Sequence, residues 1–194
     1  DDALAGASDI IAERVSEDAS TRSLLRDVFT RAAMIESTRS RKKRGDGEAE
    51  TYRDYFGWSE RANRARSHRV LAMMRGERNG YLVVHVAPPD RDALDVLRRR
   101  WVHGSGERGE FLEAAVVDAY RRLLQPSLEK EMKSELFRAA SEAAADVFSA
   151  NLRDLLLAPA LGEKRVLAID PGFRTGCKVV CLDDHGSLLH DDVI

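Results

Sequence analysis

Apolar positions in Ala3–Val15 fall at Leu4, Ala7, Ile10 or Ile11 and Val15, the three-and-four spacing of one helix face. A second such series, Leu24, Leu25, Val28, Phe29, Ala32 and Ile35, predicts a partner helix. Periodicity then stops. Ser37–Ala49 reads Ser-Thr-Arg-Ser-Arg-Lys-Lys-Arg-Gly-Asp-Gly-Glu-Ala, the composition of an exposed loop. Tyr52, Tyr55, Phe56 and Trp58 follow, four of the twelve aromatic residues within seven positions. They predict a short helix that anchors the loop to the core, since aromatic burial dominates core energetics. An exposed aromatic surface for base stacking or protein docking is the competing reading.

Ser67 is placed as the cap of a helix through Met74 that ends near Gly76, and Tyr81–Val86 is β-branched and apolar enough for a strand stopped at Pro88-Pro89. Asp90–Arg100, with Leu94 and Leu97 inward, and Phe111–Leu124, with Leu112, Val116, Ala119 and Leu123 on one face, predict two more helices. After Gln125-Pro126 the longest periodic run begins: Leu128, Met132, Leu136, Ala139 or Ala140, Ala143, Val147 and Ala150, unbroken to Ala158-Pro159. About thirty residues at 1.5 Å each make a rod of roughly 45 Å, a spine for the shorter helices. Beyond a Pro/Gly linker the period shortens. Arg165–Ile169, Cys177–Leu182 and Ser187–His190 predict three short strands in an antiparallel meander. The expected organisation is a helical core at 1–158, a linker at 159–164 and the start of a second domain at 165–194. Together these make a mainly α scaffold with one long spine helix and a small strand region, followed by an incomplete β meander. About thirty residues are fewer than a domain needs, and the chain starts at Asp1, so an internal piece of a longer protein is expected.

Composition narrows the class. Apolar residues at 43% and charged residues at 33% of 194 describe a chain able to bury a core without disulfides or metals. No run approaches the roughly 18 uncharged apolar residues of a membrane span, and the first thirty residues are charged throughout. A cytoplasmic protein without a membrane partner is expected. Cys177 and Cys181 lie about 13 Å apart along a strand, too far to bridge, and are expected to be buried, reduced thiols. The net charge of −2 conceals segregation: residues 1–36 hold four Arg against eight Asp/Glu, whereas residues 37–79 hold twelve Lys/Arg against six.

Candidate chemistry follows from that basic middle. Arg39, Arg41, Lys42, Lys43 and Arg44 form a cluster that can neutralise phosphates and release counterions, the source of sequence-independent nucleic-acid affinity. A solvated loop is the alternative. Arg53, Arg61, Arg64, Arg66, Arg69, Arg75 and Arg78 extend the patch if the fold brings them together. Gly104-Ser-Gly106-Glu-Arg-Gly109 has the letters of a dinucleotide motif but follows a charged helix instead of a strand, so it reads as a helix-to-helix loop. Asp183, Asp184, His185, His190, Asp191 and Asp192 read as a hairpin turn and its flanks before a metal site. Asp170 ends an apolar strand before Pro171-Gly172. A carboxylate there can hold Mg²⁺ in a two-metal nuclease, which requires three or four converging carboxylates; as a turn former beside proline it needs none. No cofactor is expected.

Val166–Val179 (Val-Leu-Ala-Ile-Asp-Pro-Gly-Phe-Arg-Thr-Gly-Cys-Lys-Val), preceded by Asn151–Leu157, closely resembles the bacterial Tex family of transcription accessory proteins. Ala5–Glu13, Tyr52–Phe56, Ser67–Arg69, Arg75–Glu77 and Tyr120–Ser127 resemble it too, so the likeness runs through nearly the whole chain. The resemblance implies part of a helical core followed by the opening strands of an RNase H-like domain of the resolvase type. It also implies nucleic-acid binding, RNA or DNA, and a role in transcription, with helix-hairpin-helix and S1 RNA-binding modules further along the family's longer chains. Only Asp170 matches the resolvase-type strand, so this chain is not expected to be an enzyme. A Mg²⁺-dependent nuclease in the full-length protein is the alternative. So is a helical module that docks on transcription machinery such as RNA polymerase through Tyr52–Trp58. The strands of the meander are expected to seek cover, on the long helix or on another copy of the chain.

Overall fold

The computed structural model describes residues 2–41, 47–158, 161–172, 174 and 176–194. The chain divides into two units, Asp1–Phe148 and Ser149–Ile194. Pro159 and Ala160 of the expected linker lie outside the described residues.

In the first unit, α1 (Asp2–Glu17) and α2 (Ala19–Ala32) are separated by one residue. Asp18 is the N-cap of α2. Its Oδ2 accepts from the Thr21 amide at 2.7 Å, the Thr21 hydroxyl at 2.6 Å and the Ser20 hydroxyl at 2.7 Å, and meets the Arg100 guanidinium at 3.1 Å. Thr21, 1% exposed, also accepts from Trp101 Nε1 at 2.9 Å. The start of α2 is thereby tied to the end of α4 (Asp90–Trp101), and the two helices run antiparallel. As expected, α4 buries Leu94 and Leu97.

Ile35 belongs not to α2 but to a strand, β1 (Met34–Arg39), whose residues by pattern alone divide between a helix and a loop. Ile35 and Ser37 point into the core and Glu36 and Thr38 out of it. The period of two is masked because one inward position is a serine, whose hydroxyl donates to Tyr55 O at 2.5 Å. β1 is the middle strand of an antiparallel sheet ordered β2-β1-β3, with β2 at Trp58–Arg61 and β3 at Leu82–Ala87. Ile35 stands opposite Glu60 and Val86, and Ser37 opposite Trp58 and Val84. The helix expected from Ser67 to Met74 runs on to Arg78 as α3 (Ser67–Arg78), its N-cap is Arg66 rather than Ser67, and Gly76 lies inside it. Gly76 is buried, and the close packing there suits glycine, since a Cβ would stand 2.6 Å from Leu82 Cδ1 and 2.9 Å from Tyr52 Cδ1.

The helix expected to end before Gln125-Pro126 continues through both residues. α5 (Glu107–Asp118) passes through a π-helical turn, Ala119–Leu124, into α6 (Gln125–Leu156). Gln125 N–H reaches Tyr120 O, five residues back. A proline inside a helix offers no N–H and crowds the carbonyl four back; a wide turn immediately before it absorbs that conflict without a break. Gly104–Gly109 is the expected helix-to-helix loop passing into α5, with positive φ at Gly104 and Gly106. α6 is a spine only in its first half: Leu128, Met132 and Ala140 are its buried residues, and Val147 and Phe148 are exposed.

The free edge of β3 is covered by side chains. Val84 N donates to Glu77 Oε1 at 3.2 Å and Val86 N to Glu129 Oε1 at 3.0 Å. Lys133 donates to the Val84 carbonyl and meets Glu77 at 3.0 Å and Glu129 at 3.6 Å.

In the second unit β4 (Val166–Asp170), β5 (Lys178–Leu182) and β6 (Leu188–Val193) form the expected antiparallel meander, ordered β4-β5-β6. The turn into β6 is built by Asp183, whose Oδ1 accepts from His185 N at 2.9 Å and Ser187 N at 2.8 Å. Asp191 and Asp192 lie within β6 instead of flanking a turn. Cys177 and Cys181 are free but half-buried, not buried, because the sheet is open: Leu167, Ile169, Leu188 and Leu189 are each more than half exposed.

Two outcomes are expected. Lys133→Met keeps the aliphatic stem but strands the Val84 carbonyl, and lowers the free energy of unfolding by about 2 kcal/mol in urea melts followed by circular dichroism. The second concerns acid. Hydrogen bonds from the Thr21 and Ser20 side chains, then the Thr21 amide, hold the Asp18 carboxyl well below the usual carboxylate range. A depressed folded pKa makes the contribution complete above the unfolded value of about 3.9 and lost as pH falls toward the folded one. Asp18→Asn therefore flattens the loss of stability between about pH 4 and 2, measured as Tm against pH.

Candidate nucleic-acid interface

The basic segment leaves the sheet at the end of β1 and returns through a 3-10 helix, Gly47–Tyr55. Both sides are pinned. Ser40, 5% exposed, donates its amide to Tyr81 O at 2.8 Å. Tyr52, 7% exposed, stacks on Tyr81 at 5.6 Å between ring centroids and its hydroxyl accepts from Asn79 Nδ2 at 3.0 Å. Gly57 N bonds Ser37 O at 2.9 Å. Tyr55, Phe56 and Trp58 are half-buried against the core. This is the expected aromatic anchor, formed by a 3-10 helix and the start of β2, and it counts against the reading in which these rings are an exposed docking surface.

Of the predicted cluster, Arg39 and Arg41 are described and exposed; Lys42, Lys43 and Arg44 lie outside the described residues. The Arg39 guanidinium sits over the Phe56 ring at 5.2 Å, which leaves its edge toward water. The arginines downstream do not all gather there. Met34 pairs with Arg61 and Arg39 with Leu82, so Arg61, Arg64 and Arg66 fall at the opposite end of the sheet, about 17 Å away along the strand. α3 crosses back: Gly76 packs on Leu82 and Tyr52, bringing Arg75 and Arg78 to the Arg39 end. Arg78 lies over Phe137 at 5.8 Å. Arg53 pairs with Glu50 and Arg69 with Glu60, so both are neutralised. Among the described residues Arg39, Arg41, Arg61, Arg64, Arg66 and Arg75 meet no carboxylate.

Asp170 closes β4, exposed and opposite Lys178. Alternation puts Asp170, Lys178, Val180 and Asp191 on one face of the sheet. Among the described residues no three His, Cys, Asp or Glu side chains come together in a group that could hold a metal.

Two family profiles divide the chain much as its strands and helices do. Residues 1–148 match the family described as Tex central region-like, and residues 164–194 match the Tex protein YqgF-like domain. The chain belongs to the Tex family. Protein YdcI of Bacillus subtilis is 37% identical over 195 residues, covering 100% of this chain and 27% of the relative. The transcriptional accessory protein Tex of Neisseria gonorrhoeae is 36% identical over 200 residues, 99% of this chain and 26% of the relative. More distant is the human S1 RNA-binding domain-containing protein 1, 26% identical with 97% of this chain and 20% of the relative covered. The chain thus spans about a quarter of the length of its bacterial Tex-family relatives.

One feature of this surface was hidden in the sequence. Nothing in the order of residues shows that register splits the arginines between two ends of one sheet. The Asp18 cap, by contrast, carries a readable signal in Asp18-Ala-Ser-Thr21, an acid followed by two hydroxyl donors ahead of an apolar helical series.

Proposed function

We propose that this chain is the helical scaffold of a Tex-family transcription accessory protein and contacts nucleic-acid phosphates, without sequence preference, through the basic end of its first sheet. One observation carries this reading. Arg39, Arg41 and Arg75 are exposed, held by pinned backbone or helix, and without carboxylate partners among the described residues, at the end of the sheet where Lys42, Lys43 and Arg44 emerge in sequence. Phosphate contacts need this arrangement and supply affinity without base readout. The relative named for an S1 RNA-binding domain supports nucleic acid as the class of partner. The chain works in the cytoplasm alongside the transcription machinery and performs no catalysis of its own. The face of the second sheet that carries Asp170 also carries Asp191 but not, among the described residues, the three or four carboxylates of a two-metal site, which favours scaffold over nuclease.

The test is fluorescence anisotropy with labelled single-stranded RNA, single-stranded DNA and duplex DNA at two salt concentrations. The chain is expected to bind all three, with salt-sensitive affinity. Replacing Arg39, Arg41, Lys42, Lys43 and Arg44 by Ala is expected to shrink the slope of log K against log salt by about 0.7–0.9 per lost contact. The same strands incubated with Mg²⁺ are expected to stay intact on a denaturing gel. Absence of binding to all three would leave the chain a scaffold alone, and Mg²⁺-dependent cleavage abolished by Asp170→Asn would install the nuclease instead.

The second unit supports self-association of this chain through its strands, because Leu167, Ile169, Leu188 and Leu189 are exposed and exposed apolar strands seek partners. Light scattering is expected to show mass rising with concentration, and Leu167→Lys to suppress it. A monodisperse monomer would exclude this.

A further inference from the structure

α2 and α4 lie side by side, joined at one end by the Thr21, Arg100 and Trp101 hydrogen bonds, and a groove of about 560 Å³ runs between them, lined by Leu24, Arg31, Val96, Arg99 and Arg100. It passes into a smaller depression of about 310 Å³ that shares Arg31, Val96 and Arg99 and adds Val28, Ala32, Asp92 and Asp95. The floor is aliphatic. Leu24 is 41% exposed although it occupies an apolar position of the helical series, so the apolar stripe of α2 is wider than the core it covers.

The walls are cationic in a particular way. Arg31 Nε donates to Asp27 O at 3.1 Å and Arg99 Nε to Asp95 O at 3.0 Å, bonds to the carbonyl four residues back in the same helix that hold each stem against its own helix. Neither guanidinium meets a carboxylate among the described residues. Arg100 is already paired with Asp18. The acids nearby are largely spoken for as well: Asp95 meets Arg98 at 3.3 Å and Arg91 at 3.8 Å, and Asp92 lies in the first turn of α4, where the helix dipole favours it. What remains is two steered cations, one on each wall, above an aliphatic floor.

We propose that this groove seats an acidic amphipathic segment of a partner protein, with an aliphatic side chain of the segment on Leu24 and Val96 and carboxylates to either side on Arg31 and Arg99. Charge complementarity chooses the occupant. Arginine pairs a carboxylate through two parallel hydrogen bonds, and the apolar stripe rewards a Leu or Ile that a nucleic-acid backbone lacks. A single strand would want rings to stack on, and the groove lining contains none. The site is separate from the basic end of the sheet and does not depend on phosphate contact there.

A phage-displayed library of random 16-residue peptides, panned on the 194-residue chain, tests this. Enriched peptides are expected to carry Asp or Glu flanking Leu, Ile or Met, to shift the methyl resonances of Leu24 and Val96, and to bind more weakly as salt rises. Arg31→Glu combined with Arg99→Glu is expected to weaken them at least tenfold with an unchanged circular dichroism spectrum. Leu24→Ser, which leaves the charges in place, is expected to weaken them several-fold and decides the matter should the double variant misfold. Failure to enrich any acidic binder, unchanged affinity in the variants, or a 20-nucleotide single-stranded RNA that shifts the same methyls and displaces the peptides would overturn the proposal.

Discussion

The sealed edge of β3 is the constraint on which the first unit depends. A three-stranded sheet has two edges, and an open row of N–H and C=O groups costs about 1–3 kcal/mol for each group buried without a partner. Here α3 supplies Glu77 and α6 supplies Glu129 and Lys133, so that Val84 and Val86 complete their hydrogen bonds on side chains instead of on a fourth strand. The lysine is what makes two carboxylates tolerable at that spacing, since it meets both. Its coulombic gain against the desolvation of three charges is a near-balance at partly exposed positions. The satisfied backbone tips that balance. The clamp also fixes α3 and α6 against one strand, and that placement presses Gly76 onto Tyr52 and Leu82 and so anchors the return of the basic segment.

Legibility of the fold follows from how strongly each element repeats its pattern. α1, α2, α4 and α6 declare themselves because several apolar positions at 3.6 spacing agree, and one exposed member such as Ile10 does not spoil the series. β1 fails to declare itself. In six residues its inward side holds Ile35 and Ser37, and a buried hydroxyl satisfied by a carbonyl eighteen residues later looks in sequence like a polar loop. Pro126 misleads in the opposite direction, since a proline reads locally as a stop while the π turn before it, with Tyr120 fully buried, carries the helix through. Burial, with help from Asp90 and Glu129, pushes the Tyr120 hydroxyl above its ordinary pKa, and that hydroxyl has no hydrogen-bond partner among the described residues. Local rules lose in both cases to partners far away in the chain.

The candidate surface was legible in type but not in extent. A basic run is visible in composition, and the aromatic anchor beside it follows from the cost of leaving four rings in water. Which arginines stand together depends on register, and register is set by Ile35, Ser37, Val84 and Val86 facing one core. The meander was the easier case. Its strands alternate and its turn is an Asp-Asp-His-Gly sequence, so its connections are short and local. Its thiols are half-buried because its faces are open, a property of layers that no single strand announces.

The charge segregation along the chain becomes a division of labour in space. The acid-rich first segment lends Asp9 to Arg122 at 2.9 Å and Asp18 to Arg100 at 3.1 Å, so its excess carboxylates are spent on arginines that arrive later in sequence and lock α1 to the π turn and α2 to α4. The basic middle has few acids within reach, Glu50 and Glu60 among them, and its remaining arginines keep their charge. Exposed pairs of this kind contribute little stability one at a time, so their weight lies less in folding than in what they leave over. Cations neutralised within the fold join its helices. Cations that meet no carboxylate among the described residues, such as Arg39, Arg41 and Arg75 and, separately, Arg31 and Arg99, keep field to offer a partner. Their surroundings differ in the roles proposed for them: the backbone and, at Arg39, the Phe56 ring fit phosphates, and the aliphatic floor between α2 and α4 fits an acidic side of another protein.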